Sequence, residues 1–334
     1  MKVVSFFSGA GGLDRGFENA GFNIIWANEK DKKIWDTYRY NHPNTILETK
    51  SITDVKITDI PNEEIYGVIG GPPCQSWSLA GAMRGIEDDR GALFYEYLRL
   101  LKDINPKFFV VENVPGMVSK RHIQTFENII KLFEVCGENG YNVKFNILNS
   151  SDFGVCQERK RVFLIGYRKD LNISFDFVKL DKLKVYPKVT LRECIGDLPE
   201  PLAAREKNKA NEQLDVLNHE YAIGGFSSIY MSRNRKKDWN EQSFTIQAGG
   251  RHAPLHPASA PMIKVGKDEW KFDENTPYPY RRLSVRECAR IQSFPDDFKF
   301  IYESVMHGYK MVGNAVPVKL AEAIATVIME DLNK

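Results

Sequence analysis

The stretch Val68-Ile69-Gly70-Gly71-Pro72-Pro73-Cys74-Gln75-Ser76-Trp77-Ser78 decides how the rest of the chain is read. A short apolar strand runs into two glycines and two prolines, which deliver one cysteine at the strand's carboxyl end. In an open α/β sheet, ligands bind and chemistry takes place at that end. Proline fixes its own φ and restricts the residue before it, so the thiol stands on a stiff support. A buried structural cysteine needs no such support, and Cys74 reads as a reactive thiol.

Working outward, strand and helix patterns alternate over residues 1–170. Strands are expected at 3–7, 22–27, 66–70, 108–111, 143–148 and 162–167, and helices at 13–20, 31–40, 93–104 and 123–135. Repeated β-α units predict a mostly parallel, doubly wound sheet. After Arg168 the rhythm is lost. Residues 171–280 gain prolines, charge and turn signals such as Gly224-Gly225, Gly249-Gly250 and Pro277-Tyr278-Pro279. Helix returns at 284–292 and again at 318–332, where Leu320, Ile324, Val327 and Ile328 recur at helical spacing and predict packing onto the first lobe. The expected domains are 1–180, 181–295 and a C-terminal segment 296–334 that returns to the first.

A chain of 334 residues is too long for one simple core and suits two lobes. Its 43% hydrophobic and 27% charged residues describe an ordinary globular protein. No apolar run approaches a bilayer's thickness, and the start leads straight into Ser8-Gly9-Ala10-Gly11-Gly12 rather than a signal peptide. The five cysteines are odd in number and lack paired metal-ligand spacing, which fits a reducing cytoplasm. The six histidines form no ligand cluster, so no metal is expected. With a net charge of +2, a polyanion would have to be held by a local basic patch. Arg233, Arg235, Lys236 and Lys237 form one, with Arg251 further on. Arginine reads guanine edges bidentately, while lysine mainly contacts phosphate.

Ser8-Gly9-Ala10-Gly11-Gly12 lies between the first strand and its helix, where glycines allow close backbone approach to a ligand. It lacks the third spaced glycine of a pyrophosphate loop. Glu29 ends the second strand, placed to accept hydrogen bonds from ribose hydroxyls. The pair favours an adenosine ligand without phosphates, and S-adenosylmethionine is the obvious one.

Six blocks now stand in order: Phe6-Phe7-Ser8-Gly9-Ala10-Gly11-Gly12, Gly71-Pro72-Pro73-Cys74-Gln75, Glu112-Asn113-Val114, Gln157-Glu158-Arg159-Lys160-Arg161, 282–298 and Gly313-Asn314-Ala315-Val316. In this the chain resembles the cytosine-5 DNA methyltransferases over almost its whole length. The resemblance implies an α/β fold, a doubly wound Rossmann-like methyltransferase domain with a smaller, irregular target-recognition domain. The second lobe resembles the branch that modifies GGCC in bacterial restriction–modification systems. The matching residues are Tyr230-Met231-Ser232-Arg233-Asn234-Arg235, Trp239-Asn240-Glu241, Gly250-Arg251 and Leu255-His256-Pro257. Where the family usually carries an aspartate for the adenine amino group, this chain reads Lys50-Ser51-Ile52. Ser51 can still accept one hydrogen bond there.

The resemblance implies covalent catalysis. Carbon 5 of cytosine is a poor nucleophile until a thiolate, here from Cys74, adds to carbon 6. Glu112 would protonate or hydrogen-bond N3 and the amino group. Arg161 would bind the carbonyl oxygen and steady Glu112, with Arg159 at the pocket rim. Water would remove the carbon 5 proton. Phe7, Gly9, Ala10, Gly11, Gly12, Asn28, Glu29, Ser51, Ile52, Pro73, Leu93, Asn314 and Ala315 would hold S-adenosylmethionine, with S-adenosylhomocysteine as product. The target base must be flipped out of the duplex, and the loop 79–90 could close over it. Arg233, Arg235, Lys236, Lys237 and Arg251 would contact DNA, with Arg235 and Arg251 on guanine edges.

The implied partner is double-stranded DNA in a bacterial cytoplasm, at the nucleoid and away from membranes. A cognate restriction endonuclease would act without a stable complex, the methyltransferase being a monomer. Two other readings stay open: an RNA cytosine-5 methyltransferase, and a DNA-binding protein that has lost catalysis. A recognition lobe matching DNA-reading members speaks against the first, and intact Cys74, Glu112 and Arg161 against the second.

Overall fold

The computed structural model describes residues 1–73 and 89–334; Cys74, and the expected closing loop as far as residue 88, lie outside the described residues. The chain forms two compact units. One comprises Met1–Asn149, Lys160–Lys184 and Leu320–Lys334; the other comprises Ser150–Arg159 and Val185–Lys319. Residues 296–319 therefore cluster with the second unit, and the return to the first begins at Leu320.

The first unit is built on a seven-stranded sheet in the order β3-β2-β1-β4-β5-β7-β6. The strands are β1 (Lys2–Phe6), β2 (Asn23–Asn28), β3 (Ile46–Glu48), β4 (Gly67–Gly70), β5 (Phe108–Asn113), β6 (Tyr141–Asn149) and β7 (Lys160–Arg168). The helices between them are α1 (Gly12–Asn19), α2 (Lys32–Asn41), α3 (Asp89–Ile104) and α4 (Ile123–Glu134). β1 to β5 pair in parallel, and β7 enters antiparallel between β5 and β6. All four residues of β4 are buried, as in a parallel strand covered on both faces. A Cβ on Gly70 would fall 2.4 Å from the Phe6 carbonyl oxygen, so only glycine lets β4 end this close to β1. Strand order reverses between β1 and β4, and the loops leaving their carboxyl ends therefore flank a crevice.

Aromatic packing fixes the layers above the sheet. Phe6 meets Trp26 and Tyr97 edge-on at 6.0 and 5.4 Å, and Phe109 stacks on Phe133 at 4.2 Å. The closing helix α8 (Val318–Leu332) buries Leu320, Ile324, Val327 and Ile328. One expectation needs correction here. By length and composition Val305–Leu332 is apolar enough to cross a membrane. However, 78% of its apolar window is buried inside the fold, so core packing accounts for it.

The second unit has little regular structure. It holds α5 (Leu191–Ile195), the paired strands β8 (Leu202–Ala203) and β9 (Glu220–Tyr221), the hairpin β10 (Ile263–Gly266) and β11 (Glu269–Lys271), α6 (Val285–Ile291) and α7 (Val305–Asn314). Few sheet ladders leave many carbonyls to satisfy, and buried side chains take that task. The fully buried Arg286 donates to the carbonyls of Leu217 (2.7 Å), Pro295 (3.0 Å) and Phe298 (2.7 Å). Gln157 Nε2 donates to Gln292 Oε1 at 2.6 Å, and its own Oε1 accepts from the Ile246 amide at 3.0 Å.

Candidate active site

Register brings the first two polar groups together. In the antiparallel β5–β7 pair Glu112 stands opposite Phe163, so Arg161, two residues back along β7, is its diagonal neighbour on the same face. Arg161 Nε lies 2.9 Å from Glu112 Oε1, and both side chains keep only a small exposed fraction. Arg161 Nη1 also donates to the Lys160 carbonyl at 2.8 Å. A Cβ on Gly71 would sit 3.1 Å from Glu112 Oε2, so the carboxylate lies against the turn that leads to Cys74.

That turn is held from the next residue of β5. Asn113 Nδ2 donates to the Pro72 carbonyl at 3.1 Å, and its Oδ1 accepts from the Val114 amide at 2.9 Å. Asn113 escaped the sequence reading, although it lies inside the quoted Glu112-Asn113-Val114 block. A carboxamide directly after an apolar run and its closing acid was the available signal.

On the other side of the switch point the glycine turn and Glu29 meet. The Gly9 amide donates to Glu29 Oε2 at 3.0 Å and the Asp31 amide to Oε1 at 2.7 Å. The Ser8 amide donates to the Asn28 carbonyl at 3.1 Å, while Asn28 Nδ2 reaches the carbonyls of Glu48 (3.2 Å) and Lys50 (2.9 Å). Phe7, Gly9 and Gly11 all have positive φ, and the Gly11 amide donates back to the Ser8 carbonyl at 3.0 Å, closing the turn. Ser51 Oγ accepts from Thr53 Oγ1 at 2.8 Å, and Ile52 is buried. Thus Phe7, Gly9, Asn28, Glu29 and Ser51 stand along the carboxyl ends of β1, β2 and β3. Ala10 and Gly12 are buried in the same turn, Pro73 is exposed and Leu93 half-buried.

Other expected residues are placed differently. Arg159 belongs to the second unit, is 2% exposed, and donates from Nη1 to the Ile246 carbonyl (2.9 Å) and from Nη2 to that of Gly313 (2.8 Å). This replaces the rim position expected for it, because its donors go to buried carbonyls. Asn314 and Ala315 end α7, also in the second unit.

In the recognition stretch, Arg233 and Arg251 are exposed. Arg235 is only 6% exposed and lies over the Tyr230 ring at 4.8 Å. It donates from Nε to the Tyr230 carbonyl at 2.9 Å and from Nη2 to that of Ile229 at 3.0 Å. Burial holds its guanidinium below the ordinary arginine range. Lys236 pairs with Asp238 and Lys237 with Glu241. Arg282, not foreseen as important, lies 3.9 Å over the Phe226 ring and donates to the carbonyls of Gly224 (3.1 Å) and Gly225 (2.9 Å). Arg251 and Arg282 share the lining of a cavity of about 440 Å³ with Asn208 and Met306. Among the described residues no group of His, Cys, Asp and Glu could hold a metal ion.

A doubly wound sheet with an acid–arginine pair beside a rigid turn at its switch point defines an α/β enzyme acting on a ligand above the strand ends. Residues 1–330 match the family model described as C-5 cytosine-specific DNA methylase. The chain is 58% identical over 334 residues to the type II methyltransferase M.MthTI of Methanothermobacter thermautotrophicus, covering 99% of this chain and 98% of that protein. It is 52% identical to the type II methyltransferase M.NgoPII of Neisseria gonorrhoeae, covering 100% and 97%. The fold is shared with the S. pombe Dnmt2 methyltransferase at a TM-score of 0.70 and 17% identity, over 100% of each chain. The chain belongs to the C-5 cytosine-specific DNA methylase family and is a DNA (cytosine-5) methyltransferase.

Proposed function

We propose that this enzyme transfers a methyl group from S-adenosylmethionine to carbon 5 of a flipped-out cytosine in GGCC, as the modification half of a type II restriction–modification system. The observation that carries the catalytic reading is the Arg161–Glu112 pair at 2.9 Å, lying against the turn that delivers Cys74. The Cys74 thiolate adds to ring carbon 6, and carbon 5 takes the methyl group. A water molecule then removes the carbon 5 proton as the carbon 6–sulfur bond breaks and the thiolate leaves. Glu112 hydrogen-bonds N3 and the amino group, and Arg161 holds both Glu112 and the base's carbonyl oxygen. Asn113 fixes the carbonyl of Pro72, two residues before Cys74 in the chain.

The first unit's glycine turn fits an adenosine ligand. A Cβ on Gly9 would meet nothing within 4 Å, so the backbone there is open to close approach. Glu29 offers a carboxylate at the end of β2 for ribose hydroxyls, with Asn28, Ser51 and Ile52 beside it. When bound, S-adenosylmethionine supplies the methyl group as an electrophilic sulfonium carbon.

In the second unit the exposed Arg233 and Arg251 are the guanine readers we favour, while Arg235 holds the turn at Ile229–Tyr230. Lys236 and Lys237 would exchange their carboxylate partners for phosphates. The substrate is duplex DNA in the cytoplasm, met by a monomer that forms no stable complex with its endonuclease.

The test is methylation of duplexes carrying GGCC and each of its single substitutions, by wild type and Cys74→Ser. Transfer confined to GGCC and lost in the serine variant supports the reading. Preference for another core sequence overturns the target, and full turnover by Cys74→Ser overturns the mechanism.

A further inference from the structure

The buried face of α1 carries an acid that the proposed chemistry does not use. Asp14 is 0% exposed; Ser5 Oγ donates to its Oδ1 at 2.7 Å and Tyr38 Oη to its Oδ2 at 2.5 Å. The Tyr38 ring stacks on His42 at 4.5 Å, and His42 Nδ1 lies 2.9 Å from Glu18 Oε1. Arg15 joins the same helices, donating from Nη2 to the Asn41 carbonyl at 3.1 Å. Burial pushes the Asp14 carboxyl above its usual range and the Tyr38 phenol far above its own, so Tyr38 stays a donor. A buried carboxylate is costly unless its donors are fixed in place, and here they come from β1 and α2.

This network touches both halves of the ligand site. A Cβ on Gly11 would fall 2.1 Å from His42 Nε2, so the imidazole lies directly under the glycine turn. At its other end α2 starts beside Glu29. The Asp31 amide donates to the Glu29 carboxylate at 2.7 Å, and Trp35 Nε1 to the Glu29 carbonyl at 2.8 Å. One helix therefore sets the Glu29 carboxylate at its beginning and the floor of the glycine turn at its end. Asp14 ties that helix to β1 and α1.

We propose that Asp14, Tyr38 and His42 are positioning residues for the nucleoside site, holding α2 where Glu29 and the Gly9–Gly12 turn face one ligand. The inference rests on S-adenosylmethionine being that ligand. Tyr38→Phe removes one hydroxyl and keeps the ring on His42. Asp14→Asn keeps an acceptor for Ser5 and a partner for Tyr38. Calorimetry gives the S-adenosylmethionine Kd, and steady-state kinetics give KM for duplex DNA and kcat at saturating methyl donor.

Tyr38→Phe is expected to weaken S-adenosylmethionine binding about tenfold, the loss of one hydrogen bond to a charged acceptor. KM for DNA and kcat at saturation should stay within about twofold, and Asp14→Asn should bind more tightly than Tyr38→Phe. Unchanged affinity in Tyr38→Phe overturns the proposal, and so does a loss shared equally by Kd, KM for DNA and kcat, which marks a general packing defect. A wild type that binds no S-adenosylmethionine overturns the functional reading, and this proposal with it.

Discussion

Glu112 and Arg161 meet because β7 runs antiparallel to β5 and places them diagonally on one face. Glu112→Gln keeps the shape of the side chain and one acceptor but removes the charge that Arg161 pairs with. Single-turnover methylation by this variant should fall about 10²-fold or more, the usual share of a positioned acid–base group, with DNA affinity kept. His256 makes a second prediction. Its Nδ1 accepts from the Ala258 amide at 3.2 Å, and burial holds the imidazole down to about 4, against the pull of Glu287. Because the folded pKa lies below the unfolded value, the unfolded chain binds the extra proton. Stability should therefore fall as pH drops from about 6.5 towards 4, by on the order of 3 kcal/mol. Thermal melts of wild type and His256→Gln at pH 7 and pH 4.5 check this. The variant should lack that part of the slope.

At the scale of elements, the segment 224–230 shows how an irregular lobe acquires a fixed surface. Arg282 holds the carbonyls of Gly224 and Gly225 and Arg235 those of Ile229 and Tyr230, so both ends are tied while Ser227 and Ser228 stay exposed. Arg282→Met keeps most of the bulk over Phe226 and removes the donors. It should cost roughly 1.5–3 kcal/mol of stability, the range for hydrogen bonds to a charged group. Under the proposed target, discrimination among substituted duplexes should narrow while methyl-donor affinity holds, read by denaturant melts and competitive methylation.

These ties explain what was and was not legible in the sequence. The parallel strands announced themselves as continuous apolar runs, with Glu112 closing the run of β5 and Arg161 opening that of the antiparallel β7. β3 has only three residues, none fully buried, and no pattern at that length betrays a strand. Arg235 and Arg159 look from sequence like any arginines in a functional block. Only their partners distinguish support from contact: backbone carbonyls five and six residues back for Arg235, and those of the distant Ile246 and Gly313 for Arg159. Lys236 and Lys237 had acidic partners within a few residues that a charge count passes over.

Over the whole molecule, the C-terminal residues complete the unit that the N-terminal residues begin. Ile324, Val327 and Ile328 are at most 1% exposed and belong to the first unit with the sheet. Ile324→Ala should cost about 2–5 kcal/mol, the range for such truncations in a core. Removing everything after residue 319 should leave no stable fold, since several such side chains together rival a typical domain's stability of about 5–15 kcal/mol. Soluble yield and urea midpoints of the two variants test both statements.

The chain leaves the first unit for ten residues between β6 and β7, and that excursion, Ser150–Arg159, bears on any exchange of the second unit between relatives. Gln157 and Arg159 grip residues near 246, 292 and 313, and the Asp152 carbonyl accepts from the Val185 amide at 2.9 Å. A graft that swapped only 185–319 would part each grip from its handle. The transplantable cassette is discontinuous, and its short first piece must travel with the long one.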